Sequence, residues 1–181
     1  MEPVYLDNAA STPLRPETVA ALSASEELYA NPSSIHALGQ ASRKAIEKAR
    51  ASVAALVGAD ASEITFTSGA TEANNLAIRG VLEPLLNSGK RPHVVTTALE
   101  HASVLKTFEA LEQRGLEITI VPPGPDGVVR AEEVLAAVRP ETAMVSVIAV
   151  SNELGSLQPV EEIGLALGPG LRRGGIHITS R

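Results

Sequence analysis

The chain has 181 residues, 44% hydrophobic and 20% charged, with a formal net charge of −6, the make-up of one compact globular domain that buries about 70% of its unfolded surface. Its 15 Lys and Arg are spread along the sequence, which disfavours nucleic acid as a partner, and no stretch approaches the ~18 apolar residues of a membrane span. Cysteine is absent, which excludes disulfides, thiolate metal sites and a cysteine nucleophile within these residues, and the start Met1–Asp7 has neither a basic nor an apolar leader, so the cytoplasm is the expected location.

Residues 1–37 read as an extended arm containing one helix. Pro16 suits a first helical turn, Val19, Leu22 and Leu28 give a partial apolar stripe, and Asn31-Pro32-Ser33-Ser34 breaks it. From Leu38 to Val57 the positions Ala41, Ala45, Ile46, Ala49, Val53, Leu56 and Val57 repeat with a 3.6-residue period, and Gly58 is placed to end the helix. Arg43 and Glu47, four apart, fall on its wet face.

Strands and helices then alternate. Strand Ile64–Thr67 leads to helix 71–86, strand Val94–Thr97 to helix 103–114, strand Ile118–Val121 to helix 130–138, and strand Met144–Val150 to helix 159–167. This order predicts βαβ units, hence an α/β fold with a mainly parallel sheet and helices on both faces. The near-continuous apolar run from Met144 to Val150 fits a central strand covered on both sides. The divisions expected are the arm 1–37, a body 38–167, and a glycine-rich tail 168–181 with one more short strand at 176–179.

In an open parallel sheet, ligands bind beyond the carboxyl ends of the strands. Three polar clusters stand there: Ser68 to Glu72, Glu100-His101 and Ser151-Asn152-Glu153. A helix starting at Ser68-Gly69-Ala70-Thr71 presents free amides and the positive end of its dipole, a setting for phosphate. No Lys follows that turn as in a P-loop, so a single phosphate monoester suits it better than a triphosphate. Each residue also has a plainer role open to it. Ser68 or Thr71 can cap the helix, His101 can cap the next one, Asn152 can form a turn, and Glu153 can pair with a neighbour. His36 leads into a helix and can line a cleft or serve packing, His93 opens a strand and suits packing, and no His–carboxylate spacing suits a metal.

Several motifs coincide in order. Tyr5-Leu6-Asp7-Asn8-Ala9-Ala10-Ser11-Thr12-Pro13, Asn31-Pro32-Ser33-Ser34-Ile35-His36, Phe66 to Asn75, Glu100-His101 and Asn152-Glu153-Leu154-Gly155 with Gln158-Pro159 resemble the cysteine desulfurases of the NifS/IscS type. Those enzymes are class V aminotransferases of pyridoxal 5'-phosphate (PLP) fold-type I, and the resemblance runs from residue 5 to about residue 164. It implies that residues 38–167 form part of their large, cofactor-binding domain. It also implies that Ala70 and Thr71 bind the cofactor phosphate, that His101 stacks on the pyridine ring and assists proton transfer, and that Asn152 hydrogen-bonds the ring oxygen. The reaction implied converts L-cysteine to L-alanine and passes sulfur to an enzyme persulfide. That sulfur serves iron–sulfur cluster or thio-cofactor assembly through an acceptor or scaffold protein, and the enzyme acts as a homodimer.

The sequence departs from that family at its end. Ile176-His177-Ile178-Thr179-Ser180-Arg181 lacks the aspartate that meets the pyridine nitrogen, no Ser-x-His-Lys segment follows, and Lys44, Lys48, Lys90 and Lys106 match no family lysine. Without that lysine and a thiol the chain is not expected to desulfurate cysteine alone. The expectation is an amino-terminal portion with a divergent, truncated tail and exposed sheet edges that invite association. Another class V aminotransferase and a non-catalytic binding module stand as the alternatives.

Overall fold

The computed structural model describes residues 4–8 and 10–171. The strand expected at 176–179 and His177 lie outside the described residues. The chain divides into two compact units, Met1–Phe66 and Thr67–Arg181.

The first unit is helical. Helix α1, Pro16–Ala24, opens on its proline, whose missing N–H costs nothing in a first turn. Helix α2, Ala37–Val57, starts at His36, whose Nδ1 accepts from the Gly39 amide (3.3 Å), and ends at Gly58 in the left-handed conformation (φ 68°). The Asn31-Pro32-Ser33-Ser34 turn packs directly on α2: a Cβ on Gly39 would come within 2.7 Å of the Asn31 carbonyl and of Ser34. Only Gly39, Ser42 and Ala54 of α2 are buried, so the apolar stripe expected to face a core is exposed, with Leu56 at 85%. Glu47 pairs with Arg50 (3.3 Å) rather than with Arg43, and the Arg50 guanidinium lies 5.0 Å over the Phe66 ring.

The expected strand Ile64–Thr67 is corrected to an unpaired extended segment; the Ile64 carbonyl accepts from Arg50 Nη1 instead of from a strand. The Ile64 carbonyl is thereby satisfied within the first unit without a strand partner.

The second unit holds the sheet, in the order β2-β1-β3, with β1 at His93–Thr97, β2 at Glu117–Val121 and β3 at Thr142–Val145. All pairings are parallel, from His93↔Glu117 to Thr97↔Val121 on one side and His93↔Thr142 to Val95↔Val145 on the other. Helices α3 (Ala70–Asn87) and α4 (Ala102–Glu112) cover one face; α5 (Ala131–Ala136) and α6 (Val160–Leu171) cover the other. Side-chain alternation along the strands sorts the apolar residues between the two cores. Val94 and Met144 pack with Ile78, Leu82, Val104, Phe108 and Leu111. Val95, Val121 and Val145 pack with Val129, Val134 and Ile163. The expected helices on both faces are thus present, and helix α6 leaves helical geometry at Gly168 (φ 59°, ψ −177°), next to the expected end at 167.

The run Met144–Val150 is corrected in one respect. Residues 144–148 are buried, but β3 pairs only with β1 among the described residues and stands at the edge of their sheet, ending at Val145. The Ser146 amide still donates to the Val95 carbonyl (2.9 Å), after which the chain turns away. His93 is structural: buried at the start of the middle strand, its Nδ1 meets Thr142 Oγ1 and its Nε2 meets Thr119 Oγ1, each at 2.8 Å, which ties both neighbouring strands to it. Burial pushes its imidazole below the usual range.

Candidate functional site

The carboxyl ends of β1 and β3 deliver two loops to one place. Ala98 to Ala102 after β1 and Ser151 to Leu154 beyond β3 line a cleft of about 410 Å³, which includes Glu100, His101, Asn152 and Glu153. Two of the three polar clusters therefore share a cleft. Ala70 and Thr71 do not line it; they occupy the first turn of α3, whose nearest link to the cleft runs through side chains described below.

His101 has two environments. Its Nδ1 accepts from the Ser103 amide (3.1 Å), which caps α4, and the ring is half-buried at the cleft wall. Capping and cleft-lining, separable in the sequence, coincide in one side chain. Asn152 is exposed in a turn closed by the Gly155 amide donating to the Ser151 carbonyl (2.8 Å) and by the Leu154 amide donating to Ser151 Oγ (3.2 Å). Asn152 Nδ2 donates to Glu153 Oε1 (3.0 Å).

Glu100 is only 7% exposed. Its Oε1 accepts from Ser146 Oγ (3.3 Å), and the Ile148 amide also donates to its carboxylate, so this one group bridges the two loops that form the cleft. Burial pushes its carboxyl up to about 7, against the smaller opposing effect of those two bonds. Gln158 is a second clasp: its Oε1 accepts from the Val129 amide (2.9 Å) and its Nε2 donates to the Gly127 carbonyl (3.0 Å).

Neither Ser68 nor Thr71 caps α3. The cap is Gly69, extended and without a side-chain acceptor, and the space where its Cβ would stand is open. Ser68 instead donates through its amide (2.7 Å) and hydroxyl (2.6 Å) to Glu72 Oε2, and the hydroxyl, then the amide, hold that carboxyl below its ordinary value. Among the described residues the amides of Ala70 and Thr71, in the first turn of this 18-residue helix, have no protein acceptor, which fits a phosphate ester. The flat imidazole of His101 and the amide of Asn152 likewise fit a flat heteroaromatic ring with an oxygen substituent. The fit is non-covalent, because no lysine lines the cleft and Lys106 is engaged with Glu109 (2.7 Å). Among the described residues no cluster of His, Cys, Asp or Glu is arranged to hold a metal ion, and no helix is long and apolar enough to cross a membrane.

Asn74, inside the Phe66 to Asn75 motif, and Ser103 join the two helices that start at the site, a contact the sequence does not signal. Asn74 Nδ2 donates to Ser103 Oγ (2.8 Å), which lies 2.8 Å from His101 Nδ1. Twenty-nine residues separate the pair, and no local spacing signals such a contact.

The chain resembles known proteins in sequence and in fold. The chain is 48% identical over 164 residues to the mitochondrial cysteine desulfurase of Arthroderma benhamiae, covering 90% of this chain and 33% of that protein. It is 44% identical to the cysteine desulfurase IscS of Dictyoglomus turgidum, covering 88% of this chain and 40% of that one. Its fold superimposes on a NifS-like protein (TM-score 0.89, 34% identity, 97% of this chain and 48% of the other). It superimposes equally on SspA in complex with cysteine (TM-score 0.88, 36% identity, 96% and 49%). The chain spans about a third to two fifths of the length of the curated relatives it matches. The class-V aminotransferase family matches residues 4–168, and with that span and a two-faced parallel sheet of the same design the chain belongs to this PLP-dependent family.

Proposed function

We propose that this chain supplies the cofactor-cradling part of a PLP-dependent cysteine desulfurase. The observation that carries the reading is the meeting of His101 and Asn152 in one cleft at the carboxyl edge of the sheet, beside the buried Glu100, which is tied to Ser146. In this reading the first amides of α3, at Ala70 and Thr71, hold the cofactor phosphate. His101 stacks against the ring and moves a proton at Nε2, and Asn152 donates from Nδ2 to the ring oxygen once it releases Glu153. When bound, PLP supplies the electron sink that lets sulfur leave L-cysteine and L-alanine form. The lysine that anchors the cofactor and the thiol that takes the sulfur are not among these residues, since the chain has no cysteine and no lysine lines the cleft. Work as a homodimer, delivery of sulfur to an acceptor or scaffold protein and a cytoplasmic setting belong to the same reading.

Equilibrium dialysis of the purified chain against PLP tests it. Saturable binding displaced by inorganic phosphate is expected, weakened up to about tenfold in H101A through lost ring contact. Absence of binding, or binding indifferent to T71A, H101A and N152A, contradicts the site. A second reading, a binding module without chemistry, is favoured by the lysine-free cleft. Sulfide release from L-cysteine by this chain alone would reject it.

A further inference from the structure

The hydrogen bonds around His101 leave its protons only one arrangement. The Ser103 backbone N–H is a donor by its nature, so His101 Nδ1, 3.1 Å away, must be the acceptor. Ser103 Oγ also lies 2.8 Å from that nitrogen and can approach it only by donating its hydroxyl proton. With that proton spent, Oγ receives one from Asn74 Nδ2 at 2.8 Å. The chain Asn74 Nδ2–H to Ser103 Oγ–H to His101 Nδ1 is therefore polarised in one direction, and Nδ1 collects two donors. A proton on Nδ1 would oppose both. Ser103 is buried and its carbonyl accepts from Thr107 Oγ1 (2.8 Å), which fixes this turn of α4. His101 Nε2 has no partner among the described residues and is the nitrogen left for a ligand in the cleft.

We propose that Asn74 and Ser103 are positioning residues: they hold His101 as its Nε2–H tautomer and lock the ring to α3, the helix whose first turn faces the phosphate. The inference rests on the cofactor reading for its purpose, but the proton arrangement belongs to the protein itself. Its consequence is that His101 exchanges protons with the cleft through Nε2 alone, and that the ring cannot flip without breaking both bonds to Nδ1. The helix that would bind the phosphate and the imidazole that would meet the ring are set as one unit.

Nitrogen-15 NMR of the histidine rings in the cofactor-free 181-residue chain tests this at mildly alkaline pH, with H101Q assigning the signals. The expected result is a pyridine-type Nδ1 and a pyrrole-type Nε2 at His101. N74D replaces the amide donor by a carboxylate, so the Ser103 hydroxyl turns toward it and its oxygen faces Nδ1 as an acceptor. The Nδ1–H population should then rise by roughly tenfold or more. S103A should raise it less, because the backbone amide remains, and S103T should restore the original ratio. The His93 signals serve as the control for an intact fold. A pyrrole-type Nδ1 at His101 in the unaltered chain, or a tautomer ratio untouched by both N74D and S103A, overturns the proposal. PLP enters only in a separate titration, so a correct tautomer without PLP binding would reject the cofactor reading and leave the relay standing.

Discussion

The two compact units of this chain contain similar helices and differ in what those helices have to bury. In the second, β1 is buried along its whole length and α4 contributes Val104, Phe108 and Leu111 to a closed core. In the first, the 21-residue α2 is well capped at both ends, yet most of its apolar stripe is in water. Caps and periodicity are local properties of a sequence, whereas burial needs a partner surface. Stability therefore belongs to the second unit, and there it supports the site.

Four substitutions sharpen or break that contrast. Phe108→Ala, at 1% exposure between α3 and α4, should cost about 3–5 kcal/mol in chemical denaturation; a loss below ~1 kcal/mol would show that this core is not closed.

Glu100→Gln should produce the next effect, visible in its pH dependence. The Glu100 carboxyl is raised from 4.5 to about 7 on folding. Below about pH 4.5 it is protonated in both states; as pH rises toward 7 the unfolded chain releases its proton while the folded chain keeps it, so stability falls across that window. The Gln variant lacks this slope and should gain about 3 kcal/mol relative to the native chain between pH 4.5 and 8. Parallel pH profiles for the two proteins would refute the buried carboxyl. The comparison must be between variants, because His93, pushed down by burial, acts in the opposite sense: its stabilisation is lost as pH falls.

His36→Ala removes the cap of α2 and should cost about 1 kcal/mol of local stability, read as faster amide exchange in the first turn of that helix. Leu56→Ala should change denaturation by less than ~0.5 kcal/mol, because the side chain is 85% exposed. A loss matching that of Phe108→Ala would mean that α2 buries its stripe in solution, as an associated chain would.

Much of the second unit was legible in the sequence because its signals are local. Alternating apolar runs and helical periods located α3, β1, α4, β2 and α6 to within a few residues. The clusters at 100–101 and 151–153 were placed by the rule that strand ends carry the ligand. What escaped depended on pairing at a distance. Ile64–Thr67 has the composition of a strand, but composition cannot say whether another strand will pair with it, and the Ile64 carbonyl is met by the Arg50 side chain instead. Met144–Val150 read as central because it is a near-continuous apolar run; such a run reports burial under helices, while position in the sheet comes from neighbours. Glu100 was noticed as polar, but its burial against Ser146 and Ile148 depends on how two loops meet. Asn74 looked like any helical asparagine until α4 brought Ser103 within 2.8 Å.

The measurement that bears most directly on the account is amide and side-chain NMR of the chain titrated with pyridoxamine phosphate, which binds without needing a lysine. The account predicts that the largest shifts fall together on the amides of Ala70 and Thr71, the His101 ring and the Asn152 side-chain amide, with inorganic phosphate reproducing only those at Ala70 and Thr71. Shifts confined to other surfaces, or none at His101 and Asn152 at saturating ligand, would contradict it.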